Sequence, residues 1–299
     1  MSFSWQKIRR SASVSIDRIR MDELRFFDSH AHYNDRRFRA ELPGGADALL
    51  RDLFSANVCG IVNVGTNPVT NREVVEQARA WPHMYAAVGI HPEDCHLLRA
   101  GLEETMAELA AWLTPESRRR NKIAALGEIG LDYHYETYGE AGEIPLDRER
   151  EKAFLAAQLS LARSLDVPVI IHDRDAHGDI MDMLLAYPGV RGVVHSFSGS
   201  AEMARDLCRR GWYISFSGTV TFTNARRVRE AAADVPPELA LIETDCPYLA
   251  PHPFRGQINS SGYLRYMAGA LAQVQGTTLE NVAEQTRKNA CTLFGISDL

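Results

Sequence analysis

The sequence has few cysteines and no long apolar run. Its five cysteines are scattered over 299 residues without a C-x-x-C pair, which argues against both a disulfide framework and a zinc ribbon. No stretch of 18 consecutive apolar residues occurs, and the N-terminus has no continuous apolar segment, so we expect neither a membrane span nor a secretory signal. Cysteines without a pairing pattern are typical of a reducing compartment, and we expect a cytoplasmic protein.

The sequence also lacks an excess of basic charge. Its 33 basic side chains are outnumbered by 39 acidic ones, and the formal net charge is -6. A broad electrostatic grip on duplex DNA needs a positive surface, so this balance argues against one. A small substrate or the end of a strand remains compatible with it. The hydrophobic fraction, 45%, is ordinary for a globular chain with a full core.

Residues 1–24 differ in character from the rest of the chain. Basic residues dominate the first 20 positions, with Lys7, Arg9, Arg10, Arg18 and Arg20 against Asp17. We expect residues 1–24 to form a basic extension, either disordered or lying upstream of a true start at Met21. A short helix docked on the folded part is the remaining alternative. Residues 25–299 are expected to form a single domain.

Short apolar runs rich in β-branched residues alternate with amphipathic segments along this domain. The runs cover residues 25–32, 59–66, 84–91, 123–130, 167–174, 191–198, 211–218 and 239–246. Alternating β and α elements indicate a parallel sheet covered by helices, and eight such units in one chain predict a (β/α)8 barrel. No G-x-G-x-x-G or Walker A pattern favours an open sheet instead. The segment from Gly262 to Phe294 is expected to add C-terminal helices.

Polar residues stand at the ends of these runs. In FFDSHAHYND, His30 and His32 are two positions apart, so on an extended strand both imidazoles point to the same side. Other runs end in a histidine or a carboxylate at His91, Glu128, His172, His195 and Asp245. Barrel enzymes carry their chemistry at the carboxyl ends of the strands, so the pattern predicts a metal centre there.

Six of these residues suit a pair of metals: His30, His32, Glu128, His172, His195 and Asp245. Six ligands exceed what one tetrahedral metal with an open position uses. Glu128 is the expected bridge, and Asp245 is expected to bind one metal and accept the proton of the attacking water. This predicts hydrolysis, by a hydroxide activated by two metals, of a phosphorus ester or a carboxyl derivative.

The ordered motifs resemble those of the TatD-related metal-dependent deoxyribonucleases, which have an amidohydrolase-like barrel. The resemblance rests on FFDSHAH, GIHPED, GEIGLDYH, VIIHDRDA, VVHSFSG, GWYISFSGTVTF, ETDCPYLAPHPFRG and NACTLFG, spread from Phe26 to Gly295. It implies metal binding at the same six positions. It also implies Mg²⁺-dependent removal of nucleotides from the 3′ end of single-stranded DNA.

Three further residues are candidates for contacts with substrate. Arg174 could form a bidentate pair with a phosphate, although a salt bridge with Asp173 or Asp175 is an alternative. His91, in GIHPED, contacts substrate or orients a neighbour. Arg255 resembles the arginine of a family R-G loop after the last strand. We expect Glu243 to support the site from a buried position, and His83, His96, His177 and His252 to lie on the surface.

The sequence departs from the family after the last strand. There it has RGQINSSGYL, in which Gln257 stands at a lysine position and Ile258 at an often basic one. The same ligands could therefore hydrolyse another ester or an amide, such as an aminoacyl ester of tRNA, and a non-catalytic metal-bound scaffold is a third hypothesis. Imidazole-rich ligation favours Zn²⁺ or Mn²⁺ over Mg²⁺ at the tighter site. We expect a monomer.

Overall fold

A computed structural model describes residues 24–139 and 142–297 of the chain. The predicted basic extension, residues 1–24, lies outside the described residues except for Leu24. Across the described part of the chain, no helix has both the length and the apolar character needed to cross a membrane.

Eight parallel strands form the centre of the molecule. They are β1 (Phe26–Ala31), β2 (Val58–Val64), β3 (Met84–Val88), β4 (Ile123–Asp132), β5 (Val169–Arg174), β6 (Gly192–Val194), β7 (Tyr213–Phe216) and β8 (Ala240–Ile242). Each strand pairs with the next in chain order. All ten residues of β4 are buried, as expected for a parallel strand that is covered on both faces.

The first and last strands meet and close the sheet. Just beyond β8, the amide of Asp245 donates to the carbonyl of His30 at 2.9 Å, and the amide of His32 donates to the carbonyl of Cys246 at 2.8 Å. Ala31 and Cys246 form a parallel bridge at this seam. The predicted (β/α)8 barrel is thereby confirmed.

Helices surround the barrel and continue to the C-terminus. They are α1 (Arg36–Glu41), α2 (Gly45–Ala56), α3 (Pro68–Ala80), α4 (Pro92–Cys95), α5 (Leu102–Trp112), α6 (Pro115–Asn121), α7 (Arg148–Leu165), α8 (His177–Ala186), α9 (Ala201–Arg209), α10 (Arg226–Asp234), α11 (Leu264–Gln275) and α12 (Leu279–Phe294). Side-chain caps fix several N-termini, among them Asn67 before α3 and Asp147 before α7. The expected C-terminal helices are α11 and α12.

The core has two parts. The larger cluster fills the space between the strands and the surrounding helices, with residues such as Ile61, Leu126 and Leu159 fully buried. The smaller cluster joins strand residues to the last helix, where the ring of Phe27 stacks on that of Phe294 at 6.4 Å between centroids. This packing holds the strands in register and thereby fixes where their carboxyl ends lie.

Candidate metal centre

The carboxyl ends of β1 and β4 place two histidines against one carboxylate. The Nε2 atoms of His30 and His32 lie 3.0 Å apart, as the i, i+2 spacing predicts. Both face the Oε2 atom of Glu128, at 3.3 Å from His30 and 3.6 Å from His32. Three possible ligand atoms therefore surround one point at the barrel mouth.

The other oxygen of Glu128 faces a second group of histidines. Its Oε1 atom lies 2.7 Å from His195 Nε2 and 2.8 Å from His172 Nδ1. The two imidazole nitrogens are 3.3 Å from each other. Glu128 thus presents one oxygen to each pair of histidines, the geometry that a carboxylate bridging two cations requires.

Asp245 completes the first group from the segment after β8. Its Oδ1 atom lies 3.4 Å from His32 Nε2 and 3.7 Å from His30 Nε2. The backbone of Asp245, in the segment after β8, has a φ of 55°, a left-handed conformation that is uncommon for a residue other than glycine. The side chain is 16% exposed, so water can reach it.

The two carboxylates of the site are held in their ionised form. Burial is the largest single influence on Glu128 and acts to raise its pKa, but the nearby charge of His195 and the hydrogen bond with His172 are among the influences that outweigh burial, so the pKa lies well below its ordinary value. For Asp245, burial again opposes ionisation, whereas the hydrogen bond with His32 and the charge on His30 lower the pKa below its ordinary value. Ionised carboxylates are what metal ligation needs.

Partners outside the ligand set orient two of the imidazoles. His32 Nδ1 lies 2.8 Å from the carbonyl oxygen of Val64. His195 Nδ1 lies 3.1 Å from Glu243 Oε1, which also accepts a hydrogen bond from the amide of Ser196 at 2.7 Å. A proton fixed on Nδ1 leaves Nε2 as the free donor to a metal. Glu243 thus occupies the supporting position that the sequence predicts.

His172 presents its Nδ1 atom to Glu128, whereas His195 presents its Nε2 atom. Its Nδ1 faces Glu128, and its Nε2 lies 3.1 Å from the Oδ2 atom of Asp132. Asp132 ends β4 and was missed in the sequence analysis. A signal existed, because Asp132 follows Glu128 by four positions, so both side chains belong to the same face of an extended strand.

The donor set fits divalent metals. Four imidazoles and two carboxylates converge. Ligand atoms lie within 4.8 Å of one another in two triads of these residues, His30 with His195 and Asp245 and His30 with His32 and Glu128, and in a third triad that joins Glu128 and His172 to His91. A nitrogen-rich set of this kind suits Zn²⁺, Mn²⁺ or Co²⁺ better than Mg²⁺.

His91 lies beside the six proposed ligands and differs from them in its hydrogen bonding. Its Nδ1 accepts a hydrogen bond from the amide of Glu93 at 3.2 Å, capping α4. The neutral ring therefore carries its hydrogen on Nε2, which lies 3.6 Å from Glu128 Oε1. Burial, together with the charge on His172, lowers the pKa of His91 to about 3, so the ring stays neutral. A hydrogen on Nε2 makes His91 a hydrogen-bond donor rather than a ligand.

Arg174 lies at the mouth with an exposed guanidinium. Its side chain is 41% exposed, and its nearest carboxylate oxygen, on Asp132, is 3.8 Å away. The alternative partners expected for it are engaged elsewhere, since Asp173 contacts His177 and Asp175 contacts His134, each at 2.8 Å. Arg174 is therefore available to an anionic group that enters the mouth.

Arg255 lies in the loop beyond β8. Its guanidinium lies over the ring of Phe222, 4.3 Å from the centroid. Among the described residues it has no salt-bridge partner within 4.0 Å. The geometry keeps it available for an anion, and no described contact joins it to the six predicted ligands.

Two further buried groups were not found from the sequence. Asp28 accepts hydrogen bonds at 2.6 Å from the hydroxyls of both Thr244 and Ser261, which ties β1 to the residue before Asp245. The expectation that His96 lies on the surface is wrong. Its side chain is 1% exposed and its Nε2 contacts Glu151 at 3.0 Å. The partners of both groups are distant in sequence, so no local pattern signals them.

Comparison with known proteins gives a consistent result. The family described as "TatD related DNase" matches residues 27–295. The "Uncharacterized metal-dependent hydrolase YabD" of Bacillus subtilis is 36% identical over 273 residues, covering 91% of this chain and 99% of that protein. The "3'-5' ssDNA/RNA exonuclease TatD" of Escherichia fergusonii is 35% identical over 262 residues, covering 84% and 93%.

A solved structure shares the fold. The crystal structure of YjjV, a TatD homolog from Escherichia coli K12, superposes with a TM-score of 0.78 at 30% sequence identity. The alignment covers 92% of this chain and 99% of that chain. The barrel is therefore common to both proteins over almost their whole length.

Proposed function

Because the chain belongs to the TatD-related DNase family and is a metal-dependent hydrolase, we propose that it removes nucleotides from the 3′ end of single-stranded DNA. One observation carries the two-metal part of this proposal. The two oxygens of Glu128 face separate histidine pairs, His30 with His32 and His172 with His195. The activity named for the relative from Escherichia fergusonii supports DNA as the substrate.

The two groups of ligands divide the chemistry. His30, His32 and Asp245 would hold one ion, His172 and His195 the other, with Glu128 shared between them. Divalent ions held there would lower the pKa of a water molecule and withdraw charge from the phosphoryl oxygens. Asp245 accepts the proton of the attacking water, since its carboxylate is ionised, accessible at the mouth and close to the first histidine pair.

Two other side chains would position the scissile phosphate. The Nε2–H of His91 points at the Glu128 side of the centre and donates to a non-bridging oxygen. Arg174 lies on the β5 side, 41% exposed and 3.8 Å from Asp132, and its planar guanidinium matches a phosphate bidentately. Arg255 would hold a more distant phosphate of the same strand. These donors compensate for the uncharged Gln257 and Ile258 in the loop beyond β8.

We propose that the two positions differ in the metal they hold. The nitrogen-rich donor set favours Zn²⁺ or Mn²⁺ at the tighter position, and the second, weaker position would be filled by Mg²⁺ or Mn²⁺. Elemental analysis of protein purified without added metal is expected to find at least one transition metal per chain. Protein with both positions empty would contradict this assignment.

The activity is tested with single-stranded DNA labelled at its 5′ end, incubated after chelation and re-addition of Mg²⁺, Mn²⁺ or Zn²⁺. Metal-dependent shortening from the 3′ end that is lost in Asp245→Asn supports the proposal. The competing function is hydrolysis of an aminoacyl ester, which the less basic RGQINSSG loop leaves open. Release of an amino acid from aminoacyl-tRNA, without cleavage of DNA by the same metal-loaded protein, would favour that function.

A further inference from the structure

Two exposed tyrosines lie at the mouth of the barrel. Among the described residues, the large apolar side chains with the greatest exposure are three aliphatic ones and Tyr135 and Tyr248, at 45% and 46%. Tyr135 follows β4, and Tyr248 follows β8, so both are on loops at the carboxyl ends of strands. Exposing an aromatic ring to water is unfavourable, so two exposed rings beside one site indicate a surface that binds a ligand.

Tyr248 is held next to the first histidine pair. Its ring meets that of His32 edge to face, with 6.4 Å between centroids. Its hydroxyl donates to Asp35 Oδ2 at 2.6 Å, and the guanidinium of Arg37 lies 5.8 Å from the ring centroid. The hydroxyl is thus engaged away from the metal centre.

Tyr135 lies on the other side of the centre. The guanidinium of Arg174 lies 5.0 Å from its ring centroid, and Arg174 also approaches Asp132, the partner of His172. Tyr248 is therefore next to the histidines that face Oε2 of Glu128, and Tyr135 is on the side of a histidine that faces Oε1. The two rings flank the point where a scissile phosphate would lie.

On the basis of the proposed nuclease activity, we propose that Tyr248 and Tyr135 are stacking platforms for the unpaired bases on either side of the scissile phosphate. Every base has a flat face, so stacking of this kind tolerates any sequence. It excludes bases that remain paired, and so selects single strands or frayed ends. Arg174 places a cation beside Tyr135, whereas Arg37, beside Tyr248, is paired with Glu41 at 2.9 Å, so at Tyr248 the proposal rests on the ring alone.

The hydroxyl of Tyr248 does not account for the position of this residue at the barrel mouth. Burial, and then the hydrogen bond to Asp35, raise the pKa of Tyr248 above its ordinary value, so the hydroxyl stays protonated. Because that hydroxyl already donates to a carboxylate, Tyr248 has no free proton to give to a leaving group. What it presents to the mouth is the ring itself.

The platform is tested by separating the ring from the hydroxyl. Tyr248→Leu removes both, whereas Tyr248→Phe keeps the ring. Tyr187→Leu is a matched control, because Tyr187 also packs under an arginine, Arg163 at 5.5 Å, but stands between α8 and β6, at the start of a strand. We expect Tyr248→Leu to raise KM for single-stranded DNA roughly 5- to 150-fold, with the other two variants close to wild type. Unchanged KM in Tyr248→Leu would overturn the proposal.

A second comparison shows whether a base is the partner of the ring. An oligonucleotide that lacks the base on one side of the scissile phosphate should bind wild type more weakly. Tyr248→Leu or Tyr135→Leu, whichever ring faces the missing base, should show no further loss, because base and ring act as a pair. An equal penalty in wild type and in both variants would show that neither ring stacks on the base, and the proposal would fail.

Binding without turnover separates this proposal from the nuclease activity. Asp245→Asn, with Mn²⁺ present, is mixed with single-stranded DNA containing 2-aminopurine, whose fluorescence is quenched on stacking. Quenching by Asp245→Asn that is lost in the double variant Asp245→Asn with Tyr248→Leu supports the platform. This holds even if wild type cleaves no DNA, and in that case only the proposed reaction fails. Cleavage by wild type without any dependence on either tyrosine would leave the reaction standing and overturn the platform.

Discussion

His195 and Glu243 face each other across 3.1 Å, imidazole Nδ1 to carboxylate Oε1, with both side chains at most 5% exposed. The same oxygen accepts the amide of Ser196, so Glu243 fixes both the ring and the backbone beside it. The pair fixes which nitrogen of His195 is free to bind a metal. If His195 binds a metal as proposed, Glu243, a residue outside the proposed ligand set, would set how strongly that imidazole binds.

Glu243→Gln is expected to weaken metal binding while leaving the fold intact. The amide oxygen of glutamine can still accept from Nδ1, but without its charge it makes the imidazole a poorer donor to the metal. We expect a 10- to 100-fold lower affinity for Mn²⁺, measured by titration of chelated protein. Glu76→Gln, an exposed change on α3, is the control. Equal affinities in the two variants would remove Glu243 from this role.

Glu128→Gln is expected to change the number of metals rather than only their affinity. Glutamine has one oxygen, so it can serve one of the two histidine pairs but not both. Elemental analysis of protein dialysed against Mn²⁺ should fall from two ions per chain to one or none. If Glu128→Gln still bound two ions as tightly as wild type, the bridging role would be wrong.

Asp28→Asn is expected to destabilise the barrel seam. The carboxylate accepts hydrogen bonds from Ser261 and from both the hydroxyl and the amide of Thr244. An amide group in its place turns an acceptor into a donor that faces other donors inside the protein. We expect a loss of about 2–4 kcal/mol in the free energy of unfolding of the metal-free protein in urea. A loss below about 1 kcal/mol would show that the network repacks around asparagine.

His177 is expected to make stability depend on pH. Its hydrogen bond with Asp173 is the largest influence on it and raises the pKa of His177 above the ordinary 6.5. The protonated form is thus favoured by folding, so its contribution is complete below pH 6.5 and is lost as the pH rises through the higher, folded-state pKa. His177→Gln should cost about 0.5 kcal/mol at pH 5.5 and less at pH 8.5.

Urea titrations of the metal-free protein at both pH values measure this difference. His252→Gln, at an exposed position in the loop beyond β8, serves as the control for the loss of a histidine at the surface. A destabilisation by His177→Gln that grows toward pH 8.5 would reverse the predicted sign. That result would mean that Asp173 does not favour the protonated ring.

The barrel could be predicted because its signal is repeated. Each apolar run is followed by an amphipathic segment, so an error in one unit does not change the fold. Strand ends were less accurate. The run at 191–198 contains a strand of only Gly192–Val194, and the run at 239–246 contains Ala240–Ile242. In both, the chain leaves the regular strand near the proposed ligands, with a positive φ at Ser196 and at Asp245.

The site was predictable to the extent that local spacing determines it. His30 and His32 are two positions apart at the end of β1, and each other proposed ligand ends a recognisable run. Asp132 was missed because the run was expected to end at Gly130, two residues before β4 does. Asp28 and His96 could not be placed, since their partners are brought to them only when distant segments pack.

The seam between β1 and β8 also determines when the site can form during synthesis. His30 lies in the first strand, His32 directly follows it, and Asp245 follows the last strand, so the proposed ligand set spans nearly the whole chain. While the ribosome is still translating the segment before β8, the emerging polypeptide has its histidine pair but no Asp245 and no closed ring. The nascent chain therefore cannot bring the proposed ligands together until its final strand has emerged.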